Sequence, residues 1–352
     1  MRVRIVCYHD LHQWILGKFA LKMQEYLLKM DVDVDIEKTP DPNADINHHI
    51  AYGDYEVKGK STAIDTLMIT HIDDTAKLKR LKNQMQYAEL GICMSRETMI
   101  NLANLGIPRN KLCYINPSHD GVIKPRKIIV GITCRVQKDG RKREFMIDEL
   151  AKKLNPTEFE FKIMGEFWSP QVINLRKNGF TVDYFENFDY EEYVKLIPSL
   201  DYYLYTGMDE GQMGFIDALA AGVQTIVTPQ GYHLDTDGGI SYSFTSMNEL
   251  LDCFKAIIQK RNGLIRSVEN WTWENYTRKH LELWRYLLSN RSPEGSMDKY
   301  RMNSGDGINS LEEFSKSFDK TPGIKKLNLI VKLYHERIRH YYYSKQNINR
   351  KY

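Results

Sequence analysis

Two carboxylates eight positions apart, Asp209 and Asp217, bracket the segment Asp-Glu-Gly-Gln-Met-Gly-Phe-Ile-Asp. The first falls on a loop, the second one or two turns into a helix that ends near Gly222. A carboxylate presents paired oxygens, which suit two neighbouring hydroxyls. The helix start between the acids leaves backbone N–H groups unpaired at a positive dipole end, which suits a phosphate. Gly211 and Gly214 allow backbone to approach a ligand closely. Upstream, Arg135 follows a strand, and the loop Lys138-Asp-Gly-Arg-Lys-Arg143 is crowded with cations. Arginine, lysine and helix N-termini together can neutralise a diphosphate without a metal. Each feature has a plain structural alternative: acids as dipole partners of a buried helix, and a solvated basic turn.

The elements around these residues alternate. Asp201 to Gly207 predicts a short buried strand, and Gln224 to Pro229 another, so strand, loop, helix and strand make one parallel crossover unit. In such sheets ligands sit where strands end and helices begin. Earlier in this half the pattern predicts strands at 128–134, 159–164 and 182–184 and helices at 143–154, 169–178 and 190–197. Helices at 247–260 and 271–288 close it. The first half predicts strands at 3–8, 65–70, 91–95 and 112–116. Its helices fall at 14–30, 77–87 and 97–105, the last stopped by Gly106-Ile-Pro108. The alternation implies two doubly wound parallel-sheet domains, 1–122 and 123–290, with an extension over 291–352.

The chain has 352 residues, a net charge of +3 and 42% hydrophobic residues, as expected of two ordinary globular domains plus an extension. The start turns polar too early for a signal peptide, and no apolar run is long enough to span a bilayer. The five cysteines form no metal pair and read as buried apolar groups in a reducing cytoplasm. No His, Cys or carboxylate cluster has metal-ligand spacing, so no metal is expected.

The segment from Asp209 to Gly222, with Met213, Ala218, Ala220 and the following Thr225-Ile-Val227, resembles the Glu-x7-Glu signature of retaining GT-B glycosyltransferases that use nucleotide sugars. Both acids are one methylene shorter here. The resemblance covers roughly residues 1–290. It implies a GT-B fold, two Rossmann-like domains facing a crevice. It also implies transfer of a sugar from a nucleotide-diphosphate donor to an acceptor hydroxyl with retention, and no cofactor beyond that co-substrate.

By the same resemblance Asp217 would accept hydrogen bonds from the ribose diol and Asp209 would bind the sugar. Glu210 in the sugar role is the alternative register. Arg135 and Lys142 would grip the diphosphate, with Lys138 or Arg141 as alternatives to Lys142. Gly165, Thr206, Glu210, Gly211, Gln212, Met213 and Gly214 would line the donor. From the first domain, Gly17 would face the diphosphate and His71 the donor sugar. His9 and His12 are weaker candidates.

The resemblance further implies a glycan or lipid-linked glycan acceptor and a role in bacterial surface polysaccharide or lipopolysaccharide assembly. From Ile324 to Tyr352 there are eight Lys or Arg and one acid, Glu336. Residues 324–343 carry apolar groups at helical spacing, which fits an anionic membrane surface on the cytoplasmic face or packing on the body. No reading motif points to nucleic acid. The rival is a non-catalytic binding or scaffold protein on the same fold, and a phosphorylase, hydrolase or epimerase is the alternative among enzymes.

Overall fold

The computed structural model describes residues 1–56 and 62–291. The basic stretch 324–343 and the rest of the expected extension from residue 292 lie outside them. The chain forms two compact units. One is built from residues 1–119 together with residues 271–291; the other is the continuous stretch 120–270.

The first unit holds strands β1 (Arg2–Val6), β2 (Asp33–Glu37), β3 (Ile46–His49), β4 (Ile64–Ile69), β5 (Leu90–Cys93) and β6 (Leu112–Tyr114). They form one parallel sheet in the order β2-β1-β3-β4-β5-β6. Helices α1 (Ile15–Lys29), α2 (Thr75–Gln84) and α3 (Arg96–Asn104) follow strands β1, β4 and β5. Asp74 and Ser95 cap α2 and α3, each accepting a hydrogen bond from the backbone N–H three residues on. Gly106, at φ 92°, lies just beyond the end of α3.

The second unit repeats the plan. Strands β7 (Ile128–Thr133), β8 (Phe159–Met164), β9 (Thr181–Phe185), β10 (Tyr202–Tyr205), β11 (Gln224–Val227) and β12 (Tyr242–Ser243) pair in parallel in the order β12-β11-β10-β7-β8-β9. Helices α4 (Phe145–Lys153), α5 (Ser169–Lys177), α6 (Tyr190–Leu196), α7 (Met213–Ala220) and α8 (Met247–Arg266) connect or close it. A Ser246–Glu249 capping box starts α8. Two doubly wound, Rossmann-like parallel sheets are therefore present, the fold class expected from the alternation.

One assignment changes. The helix expected at 271–288, placed by sequence with the second domain, is α9 (Trp273–Arg291), and it completes the core of the first unit. Its buried face carries Trp273, Tyr276, Leu283, Trp284 and Leu287, which pack with Phe19, Met23 and Leu27 of α1. Phe19 meets Trp273 and Tyr276 edge-on at 5.0 and 5.6 Å between ring centroids. Burying that aromatic stripe against α1 decides where the helix docks.

Candidate functional site

In the second sheet β7 lies between β8 and β10, so the chain turns to opposite sides after β7 and after β9. The crevice outside the carboxyl ends of strands at such a switch point is where ligands bind in open α/β sheets. Here it holds a cavity of about 530 Å³. Thr133 ends β7, Met164 ends β8, and both line it, with the first residues of α7 opposite.

Local sequence places α7 tightly against the strand end. A Cβ on Gly214 would come within 2.2 Å of Thr133 Oγ1 and 2.6 Å of the Tyr203 hydroxyl. Only glycine permits that approach. Gln212 precedes the helix in extended backbone, and its side-chain amide donates to the Thr133 carbonyl at 2.9 Å. Its backbone N–H donates to Nε2 of the buried His233 at 3.3 Å. Nδ1 of His233 then carries the proton and donates to the Thr228 carbonyl at 3.1 Å. Burial holds this imidazole below its ordinary pKa, so it stays neutral.

Asp217 lines the same cavity, and its Oδ2 accepts from the Tyr193 hydroxyl at 2.5 Å. Burial, and next the hydrogen bond to Asp217, push the Tyr193 phenol above its ordinary pKa, so it remains a donor. Arg135 is the cation among the lining residues. It is exposed, pairs with Glu166 at 2.9 Å and lies over the Phe167 ring at 5.1 Å. Gly165 sits at φ 141°, where a Cβ would be 2.2 Å from the Cys134 carbonyl oxygen. The exposed aromatics Phe188 and Tyr190 also contribute to the wall.

The other expected residues form a cluster next to the cavity lining. Lys142 is buried and donates to the Tyr205 hydroxyl at 2.5 Å and to Asp209 Oδ2 at 2.7 Å. Tyr205 donates to Asp209 Oδ1 at 2.5 Å, and the Gly211 N–H approaches the same oxygen at 3.3 Å. Burial would raise the Asp209 pKa, but the Lys142 and Tyr205 hydrogen bonds outweigh it and the net shift is downward. Asp209 is thus a carboxylate with its charge already matched. The Thr206 hydroxyl donates to the Lys142 carbonyl at 2.6 Å. Glu210, the alternative first acid, is exposed, and its carbonyl accepts from the Tyr232 N–H at 3.2 Å. Of the alternative cations, Lys138 is exposed, and Arg141 is exposed and 4.0 Å from Asp209.

Arg143, read from sequence as the start of a helix, is a buried clamp. It adopts φ 47°, outside the helix, which begins at Phe145. Its guanidinium donates to the Thr206 carbonyl at 2.5 Å, the Thr245 carbonyl at 2.8 Å and the Thr228 hydroxyl. Three segments, following β10, β11 and β12, are tied to one side chain. Neither this role nor those of Tyr193, Tyr205 and His233 emerged from sequence. Tyr205 sits in an apolar run that signals burial alone, Tyr193 lies among Glu191, Glu192 and Lys195 with nothing to mark it as a donor, and a cation in a basic loop carries no mark of being buried.

The remaining two expected residues belong to the first unit. Gly17 lies in the first turn of α1, where a Cβ would meet the Asp10 carbonyl oxygen and Leu11 Cα at 2.5 Å. His71 is exposed, 3.9 Å from Asp73, and its carbonyl accepts from the Tyr52 hydroxyl at 2.9 Å. Among the described residues no group of three or more His, Cys, Asp or Glu is placed to hold a metal.

No family model matches the chain, and no curated protein matches it. Solved structures do align. The apo form of the lipopolysaccharide outer core galactosyltransferase WaaB is 12% identical over 79% of this chain and 97% of its own, with a TM-score of 0.33. HepE from Anabaena, in complex with UDP and glucose, is 10% identical over 90% and 98%, with a TM-score of 0.32. UDP-GlcNAc 2-epimerase from Neisseria meningitidis, bound to UDP-GlcNAc, is 13% identical over 80% and 99%, with a TM-score of 0.31. The two six-stranded parallel sheets stand on the strand pairing of this chain itself. No described helix is long and apolar enough to cross a membrane.

Proposed function

We propose that this chain is a GT-B-type glycosyltransferase whose second unit holds a nucleotide-diphosphate sugar. One observation carries the reading: Asp217 and the N-terminus of α7 face a single cavity at the switch point of a parallel sheet, with Arg135 on its wall. The diphosphate would lie on the α7 N-terminus and Arg135, where leaving-group charge develops. Asp217, oriented by Tyr193, would take the ribose hydroxyls. Transfer would proceed with retention and without a metal, the departing diphosphate helping to deprotonate the acceptor hydroxyl. A glycan or lipid-linked glycan of a bacterial surface polymer is the proposed acceptor, and the cytoplasmic face of a membrane the proposed place of action.

A second reading, a non-catalytic binding protein, is favoured by one feature. The buried Lys142 and the half-buried Asp209 satisfy each other and leave the lining with Arg135 as its cation.

A thermal-shift panel of UDP, GDP, ADP and CMP, with and without EDTA, tests the donor site. A diphosphate at a hundred times its dissociation constant adds about 2.7 kcal/mol of stability. Stabilisation by one diphosphate, insensitive to EDTA and lost in Asp217→Asn, is expected. No stabilisation by any of the four would overturn the donor-site reading. Turnover of the matching nucleotide sugar with a glycan acceptor separates transferase from binding protein, and product without acceptor would indicate hydrolysis or epimerisation.

A further inference from the structure

The opposite edge of the second sheet, where strands begin, holds another cavity of about 420 Å³. It is walled by the starts of β7, β10 and β11 and by the C-terminal half of α8. Four cations, Arg126, Lys127, Lys260 and Arg261, line it, and Asp201 is the acid among the lining residues. Asp201 holds Arg126 in a fork at 2.6 and 2.7 Å. Arg261 pairs with Glu158 at 3.4 Å and donates to the Arg126 and Glu158 carbonyls at 3.5 Å, so Lys127 and Lys260 are the lining cations without a carboxylate partner among the described residues. Lys260 is exposed, and the half-buried Lys127 donates to the Thr181 hydroxyl at 3.1 Å. The floor is apolar, with Ile128, Tyr202 and Ile257 buried.

Large apolar side chains project beside this basic cavity. Leu264 lines it and is 70% exposed. Val122 and Ile123, just before the wall residue Pro125, are 75% and 93% exposed. Single exposed apolar residues are ordinary. Leu264 in the lining, and Val122 and Ile123 three and two residues before Pro125, combine with the cations to give what an interfacial seat needs: apolar groups for the acyl boundary and positive charge for phosphate headgroups. We propose that this edge of the second unit seats on an anionic phospholipid surface, with a headgroup phosphate in the basic cavity and Val122, Ile123 and Leu264 in the acyl boundary. The proposal is independent of the donor site and of residues 324–343.

Co-sedimentation of the full chain with vesicles tests it. The vesicles are phosphatidylcholine alone, or phosphatidylcholine with a minority of phosphatidylglycerol. Binding is expected to the anionic vesicles alone and to weaken with added salt. Lys127→Gln with Lys260→Gln should lower partitioning about fivefold for each charge removed. Ile123→Asp should lower it further, with thermal melting unchanged in each variant. Equal binding by wild type and variants would overturn the proposal and assign the attachment to the basic stretch 324–343. Absence of vesicle binding would overturn it too, and if glycerol phosphate still protected the wild type, a soluble phosphate ester would be the ligand instead.

Discussion

His280 gives the most quantitative test of how α9 is held. Its imidazole is fully buried; Nδ1 donates to the Tyr276 carbonyl at 2.9 Å, and Nε2 has no partner among the described residues. Across the interface the ring faces His48 of β3, centroids 5.1 Å apart, and Nδ1 of His48 lies 3.0 Å from the Thr66 hydroxyl. Burial pushes the His280 pKa from 6.5 down to about 4, and the nearby Lys279 acts in the same direction. Burial, and then His280, hold His48 well below its ordinary value. Because the folded pKa is depressed, the unfolded chain binds the proton more readily. Stability is therefore fully present above pH 6.5 and is lost as pH falls towards 4. The complete shift corresponds to roughly 3 kcal/mol, of which about 2 kcal/mol disappears between pH 7 and pH 5.

The assay is urea unfolding, followed by tryptophan fluorescence at pH 7, 6 and 5, of wild type and His280→Phe. Trp284 lies 5.6 Å from the His280 ring and reports on the same interface. Wild type should lose about 2 kcal/mol more than the variant over this range. Part of any common loss would come from His48, which both proteins retain. Parallel pH profiles would refute the argument, because they would mean that His280 either titrates normally or is reached by water in the folded state.

Other substitutions probe the second unit. Arg143→Met removes three hydrogen bonds from a buried cation and should lower the melting stability of the unit by about 3 kcal/mol or more, read by calorimetry. Gly214→Ala forces a methyl group against Thr133 and Tyr203 and should cost about 1–3 kcal/mol, with nucleotide-diphosphate affinity falling in parallel. Tyr193→Phe deprives Asp217 of its donor; about a tenfold change in diphosphate affinity, measured by calorimetry, is expected with little change in melting. Lys142→Met strands the Asp209 charge and should cost about 3 kcal/mol, whereas Lys142→Met with Asp209→Leu should recover much of it.

The Asp209–Gly222 segment was legible because several local signals agree there. Buried strands flank it, glycines sit where backbone crowds, and Gly222 ends the helix at φ 73°. The sequence reading passed over β2 and β3, and their residues explain why. Ile46-Asn-His-His49 is entirely buried, yet three of its four side chains are polar. Asn47 is matched by Asp65 and the nearby Asp41 carbonyl, and His48 by Thr66; Asp65 and Thr66 come from β4, a separate strand. β2, Asp33-Val-Asp-Ile-Glu37, is an edge strand whose Asp35 takes a fork from Arg4 on β1. Such pairings satisfy polar strands only after the sheet exists, so no local pattern announces them. The destination of α9 was hidden for a related reason: an apolar helical stripe states that it needs a partner surface, not which one.

The return of α9 to the first unit also orders events during synthesis. Residues 120–270 form a contiguous unit, so every residue it needs has been polymerised before α9 is made. Residues 1–119 emerge earlier, but their core stays open on the face of Phe19 and Met23 until Trp273, Tyr276 and Trp284 arrive. The half that is translated first is thus the half that finishes last. A chain truncated near residue 270 and released from the ribosome would carry a complete second unit together with an incomplete first one, with an apolar groove left as a target for chaperones.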